Sequence, residues 1–244
     1  MLKTFFIIVS ILCTNSLSAV SVEEASKAYD QGDFAAAISI YENLISSGLR
    51  HGSLYYNLGN SYFRKGEKGK AVAAYLAARR LMPRNPDVKA NLKFVEEQGP
   101  DKLAPHLSSA LLRNLAFWVD YASPKEVLWV SAILGCLGLS LLFLTLVFAK
   151  LIFLRPWSLA MSLLACLSLG IFISSLYFEE TWGAVSVPLA EVHSGPGETN
   201  TVVFQLHEGA PFVVDALEPG WYRIQLSDAK LGWLAAKDAT VFLF

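Results

Sequence analysis

With 20 basic and 21 acidic side chains in 244 residues, the chain has a formal net charge of −1, which leaves no basic footprint for nucleic acid. Hydrophobic residues make up 54% and charged residues only 17%, too apolar a balance for a soluble protein of this size. Its three cysteines, Cys13, Cys136 and Cys166, all fall in apolar stretches, so the polar parts must hold their cores without disulfides.

Residues 1–21 read as an export signal. Lys3 supplies the positive start, Phe5 to Leu12 the short apolar core, and Ser16, Ser18, Ala19 and Ser21 the small residues of a cleavage region. Cys13 follows Ile11-Leu12 and so lacks the small residue that lipoprotein processing requires.

Residues 22–98 follow a helical repeat. From Ser53 to Pro86, Tyr55, Leu58, Gly59, Tyr62, Ala71, Tyr75 and Pro83 fall on the spacing of a tetratricopeptide repeat, with Tyr at its Trp and Phe places. Gly59 and Ala71 are small where two helices cross, the tyrosines fill the wedge between helices, and Gly66 ends the first helix. About 34 residues earlier, Gly32, Ala37 and Tyr41 repeat Gly66, Ala71 and Tyr75, and Ala25 stands for Gly59. Glu24 and Ala28 depart from the pattern, as suits an end repeat. Asp87 to Gln98, with Ala90, Leu92 and Val95 as apolar positions, gives one capping helix. Two repeats and a cap fall short of the three usually needed for stability, so another protein or the membrane is expected to complete the array.

The first helices of such repeats line a concave groove. That nominates Ser26 and Tyr29 from the first repeat, Tyr56, Asn57, Asn60, Phe63 and Arg64 from the second, and Phe94 from the cap as partner-binding residues. The places that hold lysines and arginines in carboxylate-clamping repeats carry Val22, Ser26, Ala90 and Phe94. An apolar or helical protein ligand is therefore expected.

Residues 99–126 begin with a polar linker (GPDKLAP) and continue into a segment with Leu111, Leu112, Leu115 and Trp118 on one helical face. This is either a helix packed on the repeats or one lying on a membrane surface. Residues 127–148 and 157–178 are each long and apolar enough to cross a bilayer as a helix. The hinge between them, 149–156, carries Lys150 and Arg155, whereas the outer flanks carry Asp120, Glu126, Glu179 and Glu180. The positive-inside rule puts the hinge in the cytoplasm and both polar parts on the exported side of a bacterial inner membrane, in the periplasm. Trp118, Tyr121, Trp129, Tyr177 and Trp182 would form its interfacial belt.

From residue 181 to 244 the pattern alternates with a period of two. Runs such as TVVFQL, PFVVDAL and WYRIQL alternate with turn chemistry such as SGPGETN and LEPGW, and about six short strands imply a small all-β barrel. Glu191-Val192-His193-Ser194-Gly195-Pro196, Phe204-x-Leu206-His207-Glu208-Gly209, Trp221-Tyr222-x-Ile224 and Leu231-Gly232-Trp233 resemble a bacterial SH3-like domain, with His193 where that family usually has Arg. The resemblance implies a barrel that binds cell-wall peptides or other proteins.

No catalytic constellation emerges, and no cofactor or metal is expected. Gly66-x-x-Gly69-Lys70-Ala71 lacks the spacing and the hydroxyl residue of a phosphate loop. His51, His106, His193 and His207 are scattered without metal-ligand spacing. Ser194 lacks a nucleophile frame, and His207-Glu208 reads as an exposed loop start, its neighbouring side chains pointing to opposite faces. The order of export signal, repeats, membrane hairpin with a basic hinge and SH3-like barrel resembles the BatE family, the repeat proteins of Bacteroides aerotolerance (Bat) operons. That resemblance implies a membrane complex with Bat proteins bearing von Willebrand A domains, beside a MoxR-type ATPase. The expectation is a multidomain, non-enzymatic, membrane-anchored adaptor with protein partners; the alternative is an envelope sensor that binds peptidoglycan through its barrel.

Overall fold

The computed structural model describes residues 21–101, 124–177 and 181–243. The export signal up to residue 20, the amphipathic stretch around Leu111 to Trp118, and Asp120, Tyr121, His106, Glu179 and Glu180 lie outside the described residues. The chain packs as two compact units: the N-terminal helices together with the C-terminal sheet, and the apolar helical hairpin.

In the first unit, α1 (residues 21–30) and α2 (Phe34–Ser46) form one antiparallel hairpin, α3 (Gly52–Lys65) and α4 (Lys68–Leu81) a second, and α5 (Pro86–Glu97) follows. This is a tetratricopeptide-like array. Gly32 and Gly66 take the left-handed conformation, with φ of +80° and +91°, that lets a helix end in one residue and the chain reverse. Asp33 caps α2 by accepting from the Ala36 amide at 3.0 Å. Asn85 likewise accepts from the Asp87 and Val88 amides, so Asn85-Pro86 opens α5 more than it closes α4. Ala25, Ala37, Tyr41, Leu58, Tyr62, Ala71 and Tyr75 share one buried cluster. A Cβ on Gly59 would lie 2.7 Å from the Tyr75 ring, which is why that position must be small.

Helix α4 is buried on every side: Gly69 and every residue from Ala71 to Ala78 are out of solvent. One side faces α3 and the other is covered by the C-terminal sheet. That sheet has seven antiparallel-paired strands, β1 (Thr181–Val185), β2 (Leu189–His193), β3 (Val202–His207), β4 (Pro211–Glu218), β5 (Trp221–Gln225), β6 (Leu231–Ala235) and β7 (Ala239–Val241). Their order is β3-β2-β6-β5-β4-β1-β7. The pairing ends at β3 and β7, so the described strands form an open sheet and not the closed SH3-like barrel expected.

Ala184 of β1 belongs to the helical core, with Trp182 and Phe242 packed against it. The sheet keeps its own core of Val185, Ala190, Val192, Leu206, Phe212, Ile224 and Leu234 on its other side. The short array thus receives cover from its own chain, where cover from outside was expected.

In the second unit, α6 (Pro124–Val147), a 3-10 turn (Ala149–Leu154) and α7 (Arg155–Tyr177) make an antiparallel hairpin. The apolar stretches Glu126–Val147 and Lys150–Gly170 are long enough to cross a membrane, and only 17% and 11% of their most apolar windows are buried within the protein. A core helix of a soluble protein would be mostly covered. Instead Trp129, Leu139, Phe143, Leu146, Trp157 and Leu159 stand exposed, which is costly in water over so large an area. The two helices meet through small residues and hydroxyls. Ser131 Oγ lies 2.7 Å from Ser168 Oγ, and a Cβ on Gly138 would meet Ser162 Oγ at 2.7 Å.

Candidate functional site: the groove of the helical array

Positions four and seven apart on α3 place Tyr56, Asn60, Phe63 and Arg64 along one face. Tyr29 of α1 stands on one side of it and α5 on the other. A depression of about 180 Å³ opens here, lined by Tyr29, Asn60, Phe63, Arg64, Tyr75, Asn91, Phe94 and Val95. Five of the eight nominated residues, Tyr29, Asn60, Phe63, Arg64 and Phe94, therefore meet around one cavity.

Its floor is a fixed polar network. The Tyr75 hydroxyl donates to Asn60 Oδ1 at 2.7 Å, and Asn91 Nδ2 donates to the same oxygen at 3.0 Å and reaches the Tyr56 hydroxyl at 3.2 Å. Burial holds the Tyr75 phenol well above its ordinary value, so it remains a protonated donor. With Oδ1 serving two donors, the Asn60 amide nitrogen is the group this side chain has left to offer.

The walls are aromatic. Phe63 and Phe94 meet edge to face at 5.8 Å, and Tyr29 meets Phe34 in the same way at 5.3 Å. Arg64 holds its guanidinium 5.0 Å from the centre of the Phe34 ring, a cation–π contact that orients it without neutralising it. Phe94 is 56% exposed, so much of its ring faces out of the cavity wall.

The remaining three nominees lie outside this lining. Ser26 lies 3.5 Å from the Tyr41 hydroxyl and ties α1 to α2. Tyr56 is half-buried behind the floor, its ring 6.0 Å from that of Tyr75. The Asn57 carbonyl accepts from Ser61 Oγ, and Asn57 is not among the lining residues. Tyr75, Asn91 and Val95 were missed. Tyr75 reads as filler of the helix wedge, and on the cap helix the repeat pattern points to Phe94 alone as a groove residue. The Asn91 position, three before Phe94 on the same helix, carried the available signal.

The back of the array is built quite differently. The Glu208 carboxylate accepts from the Gly69 amide at 3.0 Å, capping α4 from across the interface where Glu67 at the helix start makes no side-chain cap. A carboxylate at a helix N-terminus is favourable both as a hydrogen-bond acceptor and as an anion on the dipole. His207 grips Asp101 twice, through its backbone amide at 2.7 Å and Nδ1 at 3.0 Å. These two residues, read from sequence as an exposed loop start, are half-buried fasteners between sheet and helices. Trp182 stacks near the Arg79 guanidinium at 5.4 Å, and Phe242 meets Tyr55 edge to face at 5.3 Å.

The family profile described as tetratricopeptide repeat matches residues 22–86, which covers α1 to α4 and the start of α5. No curated protein matches the chain. Such repeats are protein-interaction scaffolds, and the groove just described is formed by the matched helices together with α5.

Proposed function

We propose that this protein is a membrane-anchored adaptor that holds a protein partner in the groove between α1, α3 and α5. The observation that carries this reading is the contrast between the two faces of the array. The back is covered by the chain's own sheet, whereas the groove presents exposed Phe94, half-buried Phe63 and a lining that holds one cation and no acid among the described residues. The hairpin supplies the anchor. Two apolar stretches long enough to span would return the chain to the side of the membrane from which it entered. Lys150 and Arg155 at the hinge favour the cytoplasm for the turn and the periplasm for the unit. The order of repeats, hairpin and SH3-like sheet supports membership of a Bat-type stress or aerotolerance complex.

The test is co-purification in mild detergent with neighbouring membrane proteins. Phe63→Ala with Phe94→Ala should remove the partner while the protein stays folded. Tyr56→Phe, which loses only a hydroxyl behind the floor, should reduce recovery much less. Undiminished recovery with the double variant would refute the groove as the partner site.

A further inference from the structure

We infer that the groove receives a short linear segment of a partner protein that carries one large apolar anchor side chain with an acidic residue close to it. The inference rests on the adaptor reading and specifies the chemistry of what the adaptor holds.

Size sets the first term. Sites for whole small molecules usually run from about 300 to 1,000 Å³, and this depression has about 180 Å³, which suits a single side chain. The lining sets the second. Tyr29, Phe63 and Phe94 present ring faces and edges, with the aliphatic Val95 beside them, so a Phe, Trp or Leu anchor gains both area and aromatic geometry there. Charge sets the third. Arg64 is the one charged residue in the lining, and it makes no ion pair among the described residues. Its guanidinium rests on Phe34 with its donors still available. A carboxylate beside the anchor meets that cation, and the Asn60 amide nitrogen has a main-chain carbonyl of the same segment within its chemistry. The carboxylate belongs to a side chain within the segment, because the places for a terminal-carboxylate clamp hold Val22, Ser26, Ala90 and Phe94.

The experiment uses the full chain in lipid nanodiscs as bait for a displayed library of random short peptides. Enriched peptides should share an aromatic residue or leucine within one helical turn of Asp or Glu. A synthetic peptide of that kind should lose at least about fivefold in affinity on Arg64→Glu, and its lysine-for-acid counterpart should gain. Phe63→Ala with Phe94→Ala should abolish binding of both. If the enriched peptides lack acids and Arg64→Glu leaves their affinity unchanged, the acidic requirement is wrong while the groove reading stands. If binding survives the double phenylalanine variant, the groove reading itself fails. Failure to enrich any peptide on folded protein would overturn the inference that the groove takes a short linear segment.

Discussion

The two faces of the helical array are made from the same few helices yet do opposite things. On the groove side, a hydrogen-bonded network fixes the floor, with the Asn60 amide nitrogen to spare, and aromatic rings are left at the rim. On the back, backbone meets backbone: a Cβ on Gly69 would lie 2.0 Å from the Val185 carbonyl oxygen. A face meant to stay shut is made of small residues and strand backbone, closed by a few charge-assisted bonds. A face meant to open to a partner keeps large rings whose contacts are unfinished. On the adaptor reading proposed above, the difference separates residues that hold the fold from those proposed to meet a partner.

The strongest way to break this contrast is at Gly69. Gly69→Val forces side-chain atoms into the β1 backbone and should cost about 1–3 kcal/mol, read as a lower denaturation midpoint. An unchanged midpoint would mean that the sheet does not rest on α4. Next comes Glu208→Ala, which leaves the α4 N-terminus without its acceptor and should cost about 1–2 kcal/mol. Glu208→Gln should recover part of that loss, since it keeps an acceptor but not the charge.

A smaller effect is expected at Glu96, whose carboxyl burial pushes above its ordinary value of 4.5, with Arg79 opposing. The folded state then binds the proton at pH values where the unfolded chain has released it. This group therefore costs stability as pH rises from 4.5 through the folded value. Glu96→Gln should raise the melting temperature above that interval and leave it unchanged below pH 4.5. A gain of equal size at both extremes would show that the cause is not ionisation. The smallest stability effect belongs to the groove rim: Phe94→Ser should cost no more than about 1 kcal/mol, chiefly its edge-to-face contact with Phe63, while weakening partner recovery markedly. A large loss of stability there would make Phe94 a core residue.

Much of this contrast was legible in the sequence, and its limits have physical causes. The groove nominees on α3 followed from the resemblance to a tetratricopeptide repeat, whose first helices line the groove; helical spacing puts Tyr56, Asn60, Phe63 and Arg64 on one face, and leaves Asn57 off it. Gly66 and Gly32 announced the turns because few residues adopt positive φ. Docking of the sheet was not foreseen, although α4 carried a sign of it. AVAAYLAA has no polar face, and a helix apolar all round must be covered on all sides. The partners of Glu208 and His207 lie more than 100 residues away in sequence, and local pattern holds no information about such contacts. The barrel expectation counted strands correctly to within one, but closure depends on pairing between β3 and β7 that alternation alone does not specify.

Hydrogen exchange on the full-length protein, wild type against Gly69→Val, tests most directly whether repeats and sheet form one unit with a single open face. In the wild type, the amides of α4 and β1 should be protected together, with the groove rim at Phe94 less so. In the variant, α4, β1 and β7 should lose protection in concert. A sheet that keeps its full protection while α4 alone opens would contradict the account, and would make the sheet an independent domain that merely lies against the repeats.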